Sequence, residues 1–194
     1  MANINQKPSK FMYNLLHVLP AFADESKNVI NVIVEVSAGS INKYEIITES
    51  GQLKLDRVGY SSLSYPFTYG AIPMTWDYDG DPLDVEIVNI TEPLVPGSLV
   101  EARVIGVMKF VDGGEVDDKI IAVLNDDRRS DHIKHVDDLG EYFKTQTKYF
   151  WENIKFLKKP GTGVVETFYG PDEAMKVLKE CEEKYKNEYA PKLE

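Results

Sequence analysis

Disulfide chemistry is closed to this chain, because its 194 residues include a single cysteine, Cys181. One thiol forms no internal bridge and supplies no thiolate metal cluster. Its place on an apolar helical stripe reads as a small buried apolar side chain. Histidine is scarce as well: His17, His132 and His135 are the three present. His132 and His135 are spaced i, i+3 with no further imidazole or thiolate nearby, so a zinc site lacks donors. They read better as solvated or interface histidines. No apolar run approaches the roughly 20 residues that cross a bilayer. The longest, Val29 to Val36, is interrupted by Asn31 and Glu35. "NLLHVLPAFA" is short and follows no basic cluster of the kind that opens a signal peptide, so the expectation is a soluble, cytoplasmic protein. A G-x-S-x-G elbow, a Walker A loop and a G-x-G-x-x-G are all missing. Positive charge is in short supply: 22 Lys and Arg stand against 32 Asp and Glu, a formal net charge of −10. That field disfavours nucleic acid and anionic membranes as partners. An anionic substrate would need a local basic cluster or metal ions as intermediaries.

Acid is what the chain has in excess, and "DYDGDPLDVEI" concentrates it, with Asp77, Asp79, Asp81 and Asp84 inside one short stretch. Asp, Gly and Pro form turns, so a solvated surface turn is one reading. Three features favour another. The stretch opens directly into an apolar strand, which fixes Asp81 and Asp84 to a rigid element. Like charges this close repel unless a cation neutralises them. A second group of acids, Asp112, Glu115, Asp117 and Asp118 in "VDGGEVDDK", stands at another strand–turn–strand junction. Two such clusters at strand ends could converge on one site. All-oxygen ligands suit Mg²⁺, Mn²⁺ or Ca²⁺. An EF-hand is excluded, since counting from Asp77 puts Pro82 where the glycine belongs and Val88 where the closing glutamate belongs. Mg²⁺, which shares its coordination between carboxylates, water and phosphate oxygens, fits better.

The rest of the chain reads as short strands followed by helices. "NVINVIVEVS" alternates with period two. "NKYEIITESGQLKLDRV" reads as a hairpin with arms Tyr44–Thr48 and Leu53–Val58 around Ser50-Gly51. "LDVEIVNI", "GSLVEARVIGVMKFVD", "DDKIIAVLN" and "GTGVVETFYG" add strands. Leu139, Phe143, Phe150, Ile154 and Leu157 recur at helical spacing between Val136 and Lys158, and a last helix starts at Gly170-Pro171-Asp172. No repeat or linker divides the chain, so one domain over residues 1–194 is expected: a compact barrel with helices packed outside. Lys43 and Glu45 share one strand face, and Arg57 lies on the facing arm. Both cations could point at one anion, and Tyr65 and Tyr69 in "SYPFTYG" add hydroxyls.

"KYE", "DR", "YP-x-x-YG", "DGDP-x-D-V" and "D-x4-D-x-K" occur in the order and spacing of the soluble family I inorganic pyrophosphatases, which this chain resembles from about Val29 to Lys155. The resemblance implies an α+β, mainly β fold, a five-stranded OB-like β-barrel with flanking helices. It implies Mg²⁺-dependent hydrolysis of pyrophosphate by a metal-activated water, with Mn²⁺ or other divalent ions as substitutes. Asp79, Asp81, Asp84, Asp112 and Asp117 would hold the metal. Lys43, Glu45, Arg57, Tyr69, Lys119 and Lys155 would face the substrate. Glu35 matches a family active-site glutamate, Tyr65 would support the metal and base network, and Asp81 is the candidate general base. Asp77 falls outside the motif and is expected in solvent. The length resembles the prokaryotic type, which implies a homo-oligomer, a hexamer. Ile154 stands where the family carries a tyrosine next to Lys155, and Tyr149 is a candidate to replace it. A metal- and polyphosphate-binding protein without turnover, an OB-type nucleic-acid binder and a phosphatase for organic phosphates are the alternatives.

Overall fold

The computed structural model describes residues 14–190. In chain order these form α1 (Leu15–Val18), β1 (Phe22–Asp24), β2 (Val29–Val36), β3 (Asn42–Ile46), β4 (Leu53–Val58), β5 (Thr68–Ala71), β6 (Asp84–Val88), β7 (Leu99–Asp112), β8 (Glu115–Val116), β9 (Lys119–Leu124), α2 (Gly140–Asn153), β10 (Gly163–Tyr169) and α3 (Pro171–Lys184). Part of the irregular lead-in expected at the N-terminus lies outside the described residues.

The barrel closes because β2 pairs on both edges. Ile33 lies opposite Ala71 of β5, and the same strand runs antiparallel to β7 from Val29↔Arg103 to Ile33↔Leu99. The ring is completed through β5–β6, β6–β9 and β9–β7, five strands with the β6–β9 pair parallel and the rest antiparallel. This is the expected OB-like barrel, with β1, β8 and β10 extending its edges. The β3–β4 hairpin stands apart as its own two-stranded sheet, with Lys43 directly opposite Arg57. Its turn is held by Gly51 N–H donating to Ile47 O at 2.8 Å.

Strand alternation feeds two apolar clusters. Val85, Ile87, Ile120 and Ala122 join the α3 residues Ala174, Val177, Leu178 and Cys181. Val88, Ile121 and Val123 join Tyr65, Phe67 and Tyr69 with the α2 residues Phe150 and Trp151 and with Ile154 just past its end. α3 begins as the sequence indicates, with Pro171 in its first turn and Asp172 and Glu173 behind it.

The long helix expected from Val136 is instead a 3₁₀ turn, Val136–Leu139, followed by α2. His135 causes the break. Its Nδ1 accepts from Asp137 N–H at 3.1 Å while Asp138 accepts from His135 N–H at 2.9 Å, a closed cap that ends at Gly140 with φ +77°. Helix α2 also stops before Lys158, which leaves Leu157 70% exposed rather than on the apolar stripe. Among the described residues no helix is long and apolar enough to cross a membrane.

Candidate active site

One cavity of about 340 Å³ gathers side chains from six strands, the loop before β6 and the end of α2. The acidic wall comes from the 77–84 loop. Asp77 N–H donates to Asp81 O at 2.8 Å, closing the loop, and Asp81 N–H donates to Asp79 Oδ1 at 3.1 Å. These local bonds fix the carboxylates before any ligand arrives. Asp79, Asp81 and Asp84 line the cavity beside Asp112, at the end of β7, and Asp117, just before β9. Burial and then the neighbouring Asp117 and Asp84 charges push the Asp79 carboxyl up to about 7. Burial also raises Asp81, with Asp84 next in importance, and it raises Asp117 despite Lys119. Asp112 goes the other way: burial would raise it, but the Lys155 ammonium bonded to it outweighs burial and holds it low.

The cationic side comes from the hairpin and from α2's end. Lys43 pairs with Glu45 on its own strand face, and Arg57 Nη1 donates to Asp56 Oδ2 at 2.6 Å. Burial would depress the Lys43 ammonium, but the charges of Asp84 and Glu45 raise it above its usual range. Glu35 on β2 is buried and accepts from Ile46 N–H at 2.8 Å, tying the barrel to the hairpin. Burial, then Asp84, pushes its carboxyl up to about 8. Tyr69 lines the cavity, and burial raises its phenol well above the usual value.

Two of the expected site residues lie behind the cavity wall rather than on it. Lys119 is 1% exposed, its ammonium 2.5 Å from Asp84 Oδ2 and also bonded to Asp117. It is a buried counter-charge to two carboxylates. Tyr65 is buried against Phe150 and Tyr69, and burial pushes its phenol up to about 12.

Several further expectations are corrected. Asp77 is not in solvent: it is 2% exposed, and one oxygen of each of Asp77, Asp79 and Asp117 lies within 4.8 Å of the others. Helix α3 covers it, with the Cys181 thiol at 3.6 Å from Asp77 Oδ1 and Lys184 Nζ donating to Asp77 O at 2.8 Å. Asp118 leaves the acidic group, because β7 claims its carboxylate: it accepts from Lys109 Nζ at 2.7 Å and from Phe110 N–H at 3.2 Å, and it does not line the cavity. Glu115 is exposed on β8 and does not line the cavity. Tyr149 cannot stand in for the missing tyrosine, since it is 59% exposed on a separate groove with Leu63 and Pro66. Ile154 packs in the α2 cluster.

Asp56 and Trp151 line the cavity without having been singled out. Trp151 had a legible signal: it lies four residues before Lys155, one helical turn away on the same face.

The inorganic pyrophosphatase family model matches residues 32–186 of this chain. An inorganic pyrophosphatase of Neisseria meningitidis serogroup B is 45% identical over 163 residues, 84% of this chain and 92% of that protein. One from Geobacillus stearothermophilus is 39% identical over 157 residues, 81% of this chain and 94% of that protein. The crystal structure of an inorganic pyrophosphatase from Neisseria gonorrhoeae superposes with a TM-score of 0.85 at 42% identity, covering 89% of this chain and 99% of that one.

Proposed function

The chain belongs to the inorganic pyrophosphatase family and is a diphosphatase, and from that premise we propose how its residues divide the work of a Mg²⁺-dependent hydrolysis of pyrophosphate to two phosphates. The observation that carries this reading is the cavity itself, where Asp79, Asp81, Asp84, Asp112 and Asp117 share about 340 Å³ with Lys43, Arg57 and Lys155.

The donors fit a hard divalent cation. They are all carboxylate oxygens, and burial with mutual repulsion raises Asp79, Asp81 and Asp117, a strain that a cation relieves. Asp79, Asp84, Asp112 and Asp117 would hold Mg²⁺, with Asp81 at the same edge; Mn²⁺ suits the same set. When bound, the ion supplies a water of lowered pKa and positive charge for the phosphate oxygens.

The remaining work belongs to the chain. Asp81 is the general base: its raised carboxyl is poised nearer neutrality than a free aspartate and takes a proton from the attacking water. Lys43, Arg57 and Lys155 bind the two phosphates and stabilise the charge that develops on the leaving one. Tyr69 orients a phosphate oxygen. Glu35 and Glu45 hold the hairpin's cations in place, Glu35 through Ile46 N–H and Glu45 through Lys43. Lys119 acts on the substrate through Asp84 and Asp117, which it holds at the wall. Tyr65 supports Tyr69 from behind, ring centroids 5.7 Å apart. The reaction runs in the cytoplasm, in a homo-oligomer expected to be a hexamer.

The test is phosphate release from pyrophosphate by the purified protein with and without Mg²⁺. Release should require the metal and fall by about 10²-fold or more in Asp81→Asn, in line with loss of a general base. No release with any of several divalent ions would sink the reading. A chain eluting as a monomer in light scattering would remove the hexamer alone.

A further inference from the structure

Beneath the cavity lies a carboxylate that the mechanism above does not use. Glu86 on β6 is fully buried, and it shares a strand face with Asp84 two residues earlier. Trp151 Nε1–H donates to Glu86 Oε1 at 2.6 Å. Glu86 Oε2 has no hydrogen-bond partner among the described residues. Leaving a buried polar atom unpaired is costly, and an apolar side chain of similar size would avoid the cost. The burial therefore opposes stability, and what it secures is the orientation of one indole ring.

That ring is well placed. Trp151 lines the cavity, and the Lys119 ammonium sits over it at 5.3 Å from the centroid, with the Tyr69 and Phe110 rings at 5.8 Å each. Three rings thus box in one buried cation, an arrangement favoured by their negative faces. The same cation holds Asp84 at 2.5 Å and is bonded to Asp117. A rotated indole would release one wall of the box, and Lys119 would shift along with both aspartates.

We propose that Glu86 is a positioning residue that pins the Trp151 indole, and through it Lys119, so that Asp84 and Asp117 keep their spacing at the cavity wall. Its consequence for catalysis rests on the pyrophosphatase reading, while the pinning itself does not.

The experiment uses the full chain labelled with ¹⁵N. The sequence holds two tryptophans, Trp76 and Trp151, so the spectrum has two indole N–H signals, assigned with Trp151→Phe. The Trp151 signal should lie downfield and exchange slowly with solvent. Glu86→Gln keeps an acceptor oxygen and should keep that signal, with kcat within about threefold of the parent. Glu86→Leu should move the signal upfield and lower kcat about 10-fold, the order of loss expected from a small misplacement of site groups. Its Mg²⁺ affinity, read by calorimetry without substrate, should weaken several-fold. Trp151→Phe breaks the same link from the other end, so it serves if Glu86→Leu fails to fold. If both fold, the double variant should be no slower than the worse single one. The proposal is overturned if either variant keeps parental kcat and Mg²⁺ affinity, if the indole signal ignores Glu86→Leu, or if the two losses simply multiply. A parent that binds Mg²⁺ and shows the shifted indole but releases no phosphate would refute the functional reading and leave the pinning intact.

Discussion

Cys181 and Asp77 show how one contact decides the character of two residues. The thiol is 1% exposed and directed at the Asp77 carboxyl, so burial first, and that charge second, push its pKa far up. A thiol held protonated and covered is a poor nucleophile. Disulfide-exchange reagents at pH 8 should therefore label native protein at least about 100-fold more slowly than urea-unfolded protein; equal rates would mean that α3 does not cover the position. Asp77 is the other half of the pair, and burial lifts it to about 6. Its burial was not legible, because the covering side chains come from a helix about a hundred positions later and "DYDGDP" alone looks like a turn. Asp79, Asp81 and Asp84 were legible for the opposite reason. Their grouping follows from local spacing, and the structure keeps them on one cavity wall.

Among the elements, β5 carries the tightest constraint. Gly70 sits in it opposite Val34 of β2 and Val85 of β6. A Cβ there would stand 2.3 Å from Ile33 O and 3.0 Å from a Val32 methyl. The clash is with strand backbone, so β2 and β5 would have to part. Gly70→Ala should cost about 2 kcal/mol or more, which for a chain of this size lowers Tm by roughly 4–8 °C. Calorimetry on the parent and variant decides it, and an unchanged Tm would mean that the two strands are not so closely paired. The strands and α3 were readable because their periodicity is local, and the hairpin's arms already placed Lys43 across from Arg57. The split between the 3₁₀ turn and α2 was not readable, since it depends on a side-chain cap by His135, which periodicity does not register. Nor did the pattern reveal that Lys119 would be buried: a lysine opening a strand reads as solvated until Asp84 and Asp117 are seen on either side.

Closure of the barrel is a property of the whole molecule, since it depends on β2 accepting partners more than thirty residues downstream on both edges. The succession of strands along the chain could be read from the sequence, but their order in the sheet and the closing pair could not. The same long-range logic applies at His17, where distant segments meet. Its Nε2 lies 2.7 Å from Thr48 O in the hairpin turn and its Nδ1 2.8 Å from the Tyr185 hydroxyl beyond α3. A carbonyl can only accept, so Nε2 carries the proton and Nδ1 accepts from the phenol; the neutral ring satisfies both bonds. The ring also stacks on Tyr185 and Tyr189, and Tyr189 stacks on Trp76 at 4.1 Å, next to the acidic loop. Burial lowers the His17 pKa in the folded state, against smaller raising effects from Thr48 and Glu49. The folded protein therefore binds fewer protons than the unfolded chain as pH falls through about 6.5, and stability rises with pH across that window. What neutral His17 contributes is present above the unfolded pKa and is lost toward acid. Urea unfolding at pH 7.5 and pH 5 should show the parent more stable than His17→Gln at the higher pH, with the difference shrinking at the lower. A difference that stays constant would mean that His17 titrates alike in both states, and that its junction does not sense pH.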